Sequence, residues 1–234
     1  GNYFEWTSND STPNSLANRN PVALLEQYNA ENHALRSFGN VQFDYKLHFL
    51  PDLHAILNLG YDVAKYTGTT VVPADAAQSY NAIASLRGQN NQYYNNYTNK
   101  VGEFYFNYIK DIKSIKSNVN AVAGYGYYDN YKYYKNYPSI SASNDTLPGS
   151  APVYPSYFYE NTLISYYGRL IYTFDNKYIL MGSIRTDGSS RFAPKYRWGV
   201  FPSIAFTWKI AQENFLKNSN VLSTLNLRLI DGVP

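Results

Sequence analysis

The sequence has 234 residues, no cysteine and a formal net charge of +3. The lack of cysteine excludes disulfide frameworks, thiol chemistry and cysteine-ligated zinc, and no basic run indicates nucleic-acid binding. No apolar stretch reaches the roughly 18 residues that a transmembrane helix requires. Tyrosine, with 26 copies, is the commonest aromatic residue, and it favours β-structure because aromatic side chains suit a half-buried sheet surface.

The first elements along the chain are a short helix and a hairpin. No signal peptide is visible before them. Asn20–Gln27 predicts one or two helical turns that begin at Pro21. From Val41 to Phe49 the odd positions are apolar and the even ones polar, which predicts a strand over 34–49 with two distinct faces. Leu50-Pro51-Asp52 predicts a turn, and the same alternation resumes at Leu53.

The alternation predicts six further strands, at 101–110, 117–130, 161–174, 178–186, 197–210 and around Leu225, Leu227 and Leu229. The connections between strands are short at 50–52, 111–116 and 175–177, long at 67–100 and 131–160, and intermediate at 187–196 and 211–222. Short turns that alternate with long loops are typical of an outer-membrane barrel, with the turns in the periplasm and the loops outside. The pattern therefore predicts an all-β, antiparallel, up-and-down transmembrane barrel segment.

The two faces of these strands have different chemistry. We expect Leu57, Leu59, Leu180, Ile204 and Phe206 to face lipid, and Asn58 and Thr207 to face the lumen with the charged residues Asp44, Lys46, Asp62, Glu103, Arg169, Arg185, Lys209 and Arg228. A soluble β-sandwich also has period-two strands, but these commonly run about 5–6 residues. Several strands here keep the alternation for longer, which favours the barrel.

The best candidates for substrate binding are tyrosines in the long loops. Aromatic rings can stack on sugar rings while neighbouring Asn and Gln hydrogen-bond to hydroxyl groups. The candidate residues are Tyr93, Tyr94, Tyr97, Tyr131, Tyr133, Tyr134 and Tyr157. Packing between loops, or contact with a partner protein that closes the barrel, is the alternative role for these rings.

No catalytic or metal-binding pattern is present. His33, His48 and His54 lack the spacing of metal ligands, and neither a nucleophile motif nor a phosphate-binding loop occurs. We therefore expect neither enzymatic activity nor a cofactor.

Residues 185–192 read Arg-Thr-Asp-Gly-Ser-Ser-Arg-Phe. The Asp-Gly-Ser-Ser portion favours a tight turn, and Arg185, Asp187 and Arg191 are close enough in sequence to form local ion pairs. This segment has two alternative interpretations: it forms the rigid base of a loop, or it contacts the substrate directly.

Several segments carry a family resemblance. They resemble the barrel signature of the SusC-like TonB-dependent transporters of the Bacteroidetes. The segments are Ile164–Tyr172, Tyr178–Leu180, Arg185–Phe192, Arg197–Ser203 (with Trp198, Gly199 and Pro202), Phe215–Asn218 and Leu225–Arg228, with Asn20–Leu25 and Asn58–Asp62 earlier in the chain. In this resemblance Arg185, Asp187, Gly188, Arg191, Phe192, Trp198, Gly199 and Pro202 are structural motif residues.

The resemblance implies a nutrient importer of the outer membrane. It implies an oligosaccharide or peptide cargo, a SusD-like surface lipoprotein as partner, and energy from TonB, ExbB and ExbD through a plug domain. Residues 1–234 then lie within the barrel domain and include no plug, TonB box or closing strands. About eight strands cannot close a transporter barrel of roughly 22, so the resemblance implies that these residues form part of a longer barrel. A soluble secreted glycan-binding β-module is the alternative function.

Overall fold

The computed structural model describes residues 3–216 and 221–233. One helix, α1 (Pro21–Glu26), precedes eight strands: β1 (Asn29–Lys46), β2 (Leu53–Val72), β3 (Gln89–Ile112), β4 (Ser117–Lys135), β5 (Ser156–Phe174), β6 (Tyr178–Ser189), β7 (Trp198–Lys209) and β8 (Asn226–Gly232). Short 3-10 turns lie at Ala77–Ser79, Ala84–Leu86, Lys113–Ile115, Pro194–Tyr196 and Ile210–Gln212. Within the described ranges, no helix has both the length and the apolar character to cross a membrane.

The predicted helix begins where expected. Pro21 occupies its first turn, and the Asn20 side chain accepts hydrogen bonds from the backbone N–H groups of Val22 (2.9 Å) and Ala23 (3.3 Å). These contacts satisfy two of the donors that a helix start leaves unpaired.

The strands form one sheet in the order β1-β2-β3-β4-β5-β6-β7-β8. Each strand therefore pairs with its neighbours in sequence, and this confirms the predicted all-β, up-and-down arrangement. The register of β5 to β8 places Tyr172, Leu180, Phe206 and Leu229 opposite one another. The adjacent row contains Thr173, Ile179, Thr207 and Arg228. Leu180 and Phe206 thus share one face and Thr207 lies on the other, as the alternation predicts.

Most strands are longer than the sequence predicts. The connection between β2 and β3 is 73–88 rather than 67–100, and that between β4 and β5 is 136–155 rather than 131–160. The sequence predicts loops for the Asn- and Gln-rich segments because these residues are depleted in strands. Pairing with a neighbouring strand overrides that preference.

Smaller boundary corrections affect the connections after β1 and after β6. β1 begins at Asn29 and ends at Lys46, so Leu47 and Phe49 lie in the connection to β2. β6 extends to Ser189, which moves the following connection to 190–197. The short turn at 175–177 is as predicted. Lys217 and Asn218, at the end of one family segment, lie outside the described residues.

The chain divides into two compact units. Unit 1 comprises Gly1–Ser37, Val63–Thr98 and Tyr131–Tyr159, and unit 2 comprises Phe38–Asp62, Asn99–Asn130 and Glu160–Pro234. In unit 1, Val72, Ala76 and Ser141 are sealed from solvent.

Unit 2 buries Ile56 and Ser165 but leaves many apolar side chains on one face exposed. Leu170, Leu180 and Ile204 are 50%, 47% and 55% exposed. An apolar face of this extent is unusual on a protein surrounded by water.

Candidate functional site

The seven candidate tyrosines lie on strands, not in loops. Tyr93, Tyr94 and Tyr97 are on β3, Tyr131, Tyr133 and Tyr134 are on β4, and Tyr157 is on β5. The predicted loop location is therefore wrong for all seven. Successive side chains of a strand point to opposite faces. Tyr93 and Tyr94 therefore lie on opposite faces of the sheet, as do Tyr133 and Tyr134, and the two rings of such a pair cannot belong to the same site.

Ring contacts on one face of unit 1 define a tyrosine cluster of Tyr66, Tyr97, Tyr134, Tyr157 and Tyr159. Tyr134 stacks on Tyr157, with ring centroids 4.9 Å apart and planes 12° apart, and meets Tyr97 and Tyr159 edge-on at 6.0 and 6.2 Å. Tyr66 meets Tyr97 edge-on at 5.4 Å. The hydroxyls of Tyr97 and Tyr134 are 3.2 Å apart and share a hydrogen bond. The rings therefore position one another.

Beside this cluster lies a tyrosine cleft. It has a volume of about 300 Å³ and is lined by Tyr66, Tyr93, Asn95 and Tyr97. The Tyr93 hydroxyl donates a hydrogen bond to the Asn32 side-chain oxygen. The lining contains phenol rings and one amide but no charged side chain, so the cleft suits a neutral ligand with a ring face and hydroxyl groups.

The remaining candidates contact a different set of residues. Tyr94 meets Tyr133 edge-on at 6.2 Å, and the Lys65 amine lies 5.4 Å from the centre of the Tyr94 ring. Tyr131 stacks on Phe158 at 5.8 Å. Tyr94, Tyr131 and Tyr133 are absent from the lining of the tyrosine cleft, so the structure brings together only part of the predicted set.

In unit 2 the Arg185–Phe192 motif is built mostly on β6. Asp187 and Gly188 pair with β5 and β7 instead of forming the predicted tight turn. Arg185 Nε donates to both carboxylate oxygens of Asp187, at 2.8 and 2.9 Å, and another guanidinium nitrogen donates to Ser165 Oγ at 2.9 Å. In the described part of the chain no ion pair joins Arg191 to Asp187; the Arg191 backbone N–H bonds to Ser189 Oγ at 3.3 Å.

The glycine of this motif accommodates an aromatic ring. Gly188 lies opposite Trp198, and a Cβ at this position would approach the Trp198 ring to 2.8 Å. Trp198 also stacks on Tyr166 at 6.1 Å. Gly199 and Pro202 lie on β7 beside Trp198, and Phe192 is an exposed side chain in the following connection. These contacts support the structural reading of the motif.

Sequence reasoning missed a cluster at the turn after β5. Glu213 accepts hydrogen bonds from the Tyr178 hydroxyl (2.5 Å) and the Trp208 indole N–H (3.0 Å), and it also receives Lys177 Nζ at 3.4 Å. Lys177 also pairs with Asp175 at 3.0 Å.

Charge and hydrogen bonding shift the pKa values in this cluster. The pKa of Glu213 lies below its usual range, chiefly because Tyr178 and then Trp208 donate to its carboxylate. The pKa of Asp175 is also lowered, first by the hydrogen bond from Lys177. No motif in the sequence marks Glu213, because its partners come from two other segments.

The turn cluster lies next to a row of aromatic rings. Phe174 stacks on Tyr178 at 6.2 Å, and Tyr178 stacks on Trp208 at 6.3 Å. Phe174, Tyr178 and Trp208 are opposite one another in the sheet register. Such a row at the strand ends has the composition of an interfacial aromatic girdle.

Among the described residues, no group of three or more His, Cys, Asp or Glu is placed to hold a metal ion. His54 Nδ1 instead lies 2.7 Å from a carboxylate oxygen of Asp44.

Comparisons with known proteins give a consistent result. The chain is 36% identical to the TonB-dependent receptor SusC of Bacteroides thetaiotaomicron over 231 residues, which is 98% of this chain and 22% of SusC. It is 46% identical over 68 residues to the TonB-dependent receptor P39 of Formosa agariphila, covering 29% of this chain and 7% of that receptor. The chain therefore spans less than a quarter of the length of these relatives. No protein-family model matches it.

Solved structures share the fold. The RagAB peptide transporter superposes with a TM-score of 0.77 at 19% identity, over 93% of this chain and 25% of that chain. The RagAB peptide importer in the open-open state gives 0.78 at 18% identity, over 93% and 24%. The sheet order, the sequence likeness along nearly the whole chain and this shared fold together identify the chain as SusC-like, an up-and-down barrel segment of the TonB-dependent receptor type.

Proposed function

We propose that the chain forms part of the wall of an outer-membrane importer that draws its energy from TonB, ExbB and ExbD through a plug domain. The likeness to TonB-dependent receptors supports this role. In this role the chain carries out no covalent chemistry; it binds and admits cargo.

The proposed membrane location rests on the two faces of the sheet. The face with Leu170, Leu180 and Ile204 contacts lipid, and the face with Arg169, Ser183 and Thr207 contacts the lumen. A soluble glycan-binding module would leave these half-exposed apolar side chains in water. The importer accounts for them and the soluble module does not.

The proposed cargo is a neutral, hydroxyl-rich oligosaccharide. The observation that carries this proposal is the tyrosine cleft, whose lining consists of the phenol rings of Tyr66, Tyr93 and Tyr97 and the amide of Asn95, without a charged side chain. Stacking on an aromatic ring contributes on the order of 1 kcal/mol per ring. Two stacked rings would therefore strengthen the binding of a sugar measurably.

A peptide is the second candidate cargo. The RagAB structures that share the fold are named as a peptide transporter and a peptide importer. Phenol and amide groups also hydrogen-bond to peptide backbones.

We further propose a SusD-like surface lipoprotein as partner. Near its end the connection 136–155 contains Val153 and Tyr154, which are 87% and 72% exposed. Exposed apolar and aromatic side chains of this kind favour protein contact.

The cargo proposal is tested in the full-length protein by a pair of double variants. Tyr93→Ala with Tyr97→Ala removes two rings from the cleft, and Tyr94→Ala with Tyr133→Ala removes two rings outside it. Growth on single glycans and on peptides is measured, with heat-modifiable gel migration as the check on folding.

We expect the cleft variant to weaken growth on a glycan that the matched control still uses. A selective loss on peptides would assign a peptide cargo instead. Equal growth of both variants on every nutrient would contradict a role for the cleft and leave the importer role to be tested by deletion of the gene.

A further inference from the structure

Unit 2 contains a second polar cavity, with a volume of about 550 Å³, between side chains of β3, β4, β5 and β6. Its lining includes two arginines, Arg169 and Arg185, and two asparagines, Asn107 and Asn120. No acidic side chain is among the lining residues. The charge of the wall is therefore positive.

The two guanidinium groups differ in how they are compensated. Tyr167 lies opposite Arg185, and Arg169 lies opposite Ser183, so the two arginines are diagonal neighbours on one face of the sheet. Arg185 is held by Asp187 and Ser165. Arg169 is exposed, and within residues 3–216 and 221–233 it forms no hydrogen bond or ion pair, so its guanidinium in the cavity lining is accessible to a ligand.

In the part of the chain that the structure describes, the Glu103 carboxylate forms no ion pair with Arg169. One of its oxygens accepts a hydrogen bond from the Asn58 amide at 3.1 Å, and the other accepts one from the Tyr128 hydroxyl. Glu103 is also absent from the cavity lining.

The two asparagines are the uncharged amides of the cavity lining. The side-chain oxygens of Asn107 and Asn120 are sealed from solvent and accept no hydrogen bond from the described residues. Both asparagines line the cavity together with the two arginines, and an asparagine amide nitrogen is a group that can donate to a carboxylate.

We propose that this cavity binds the carboxylate of a small ligand, with Arg169 as the principal contact and Arg185 beside it. The planar fork of a guanidinium matches a carboxylate, and the asparagine amides reach the ligand's other polar groups. An acidic sugar and an acidic amino acid at a peptide end share this chemistry. The site is a second binding function, and it does not depend on the cargo proposed for the tyrosine cleft.

The test is a titration of the detergent-purified full-length protein by calorimetry. The probes are D-glucuronate and N-acetylglutamate, with D-glucose and N-acetylglutaminamide, in which both carboxyl groups are amides, as their neutral counterparts. The variant is Arg169→Gln, and the matched control is Arg191→Gln, which removes the same charge from a residue outside the cavity.

We expect a carboxylate probe to bind more tightly than its neutral counterpart. Arg169→Gln should weaken that binding at least about tenfold, as the loss of a charge-assisted hydrogen bond implies, and Arg191→Gln should leave it unchanged. Preference for glucuronate would indicate an acidic sugar as the natural ligand, and preference for N-acetylglutamate would indicate an acidic peptide end.

Three results would overturn the proposal: neither carboxylate binds, each binds no better than its neutral counterpart, or both arginine variants weaken binding equally. The first includes the case in which another part of the full-length protein fills the cavity. If Arg169→Gln does not migrate as a folded protein, Arg169→Lys replaces it, because the amine keeps the charge but loses the fork. Unchanged affinity in that variant would also reject the site.

Discussion

On β5 a charged and an apolar side chain can be exchanged between the two faces of the sheet, because Arg169 and Leu170 are consecutive residues. Arg169 lies opposite Ser183, and Leu170 lies opposite Gly182, so they project to opposite faces. Three variants of the full-length protein follow: Leu170→Arg, Arg169→Leu, and the transposition that combines both. The transposed chain keeps the composition and net charge of the parent and changes only which face carries the charge.

The position of Leu170 sets the magnitude. Phe174 belongs to the aromatic row at the turn, and Leu170 lies about 13 Å before it along the strand at roughly 3.3 Å per residue. At a strand tilt of about 40°, this corresponds to a depth of about 10 Å in an apolar band about 25 Å tall. Leu170 is therefore near the midplane, where an arginine that faces lipid costs ~2–4 kcal/mol.

The expected ranking separates the faces. Leu170→Arg and the transposition should each lose ~2–4 kcal/mol of unfolding free energy, while Arg169→Leu should stay within about 0.5 kcal/mol, as for a side chain without a structural partner. The measurement is denaturant-induced unfolding in lipid vesicles, with heat-modifiable migration as a second readout. Equal losses for the two single variants, or recovery of stability in the transposition, would refute the assignment of faces.

Three further predictions concern topology, pH and packing. Cysteine at Ser143, in the connection 136–155, should react with an impermeant thiol reagent on intact cells, and cysteine at Ser114, in a short turn, should not; labelling at Ser114 would reverse the orientation. Because Glu213 and Asp175 have lowered pKa values in the folded chain, the stability they contribute is present above their unfolded pKa of about 4 and is lost as the pH falls below it. Unfolding midpoints between pH 7 and pH 3 should therefore drop, and the drop should be smaller in Glu213→Gln; an identical profile would exclude Glu213 as a contributor. Gly188→Ala should cost ~1–3 kcal/mol because its Cβ meets the Trp198 ring, whereas Gly182→Ala on the same strand meets nothing within 4 Å and should cost little, so equal losses would contradict the packing argument.

The strands that cross the proposed membrane could be predicted from sequence, and their extensions could not. Residues such as Phe43, Leu59 and Ile204 alternate with polar ones because one face must be apolar, and that constraint appears in the sequence as period two. Before Asn99 on β3 and after Asn130 on β4, the strands run through Tyr- and Asn-rich segments in which both faces are polar or aromatic. Without a difference between faces there is no period to detect.

The turn cluster shows a second limit. Glu213 meets Tyr178 and Trp208 only because β6 and β7 pair in the observed register. The sequence predicts both strands, but the offset between them determines which side chains meet. The aromatic row could be anticipated from the rings near strand ends, whereas the carboxylate that joins two of them could not.

A single rule of strand geometry accounts for both the success at Arg185 and the failure at the tyrosines. Arg185 and Asp187 are two residues apart, so on a strand they share a face, and the ion pair expected for a turn forms on β6 as well. Tyr93 and Tyr94 are adjacent, so the same geometry separates them: Tyr93 lines the cleft, while Tyr94 packs against Tyr133. Tyr93 and Tyr94 could belong to one site only if they lay in a loop, where adjacent side chains are not forced to opposite faces. Once β3 is known to begin at Gln89, the sequence itself requires two sets of rings, and only the set with Tyr93 and Tyr97 can contribute to the cleft.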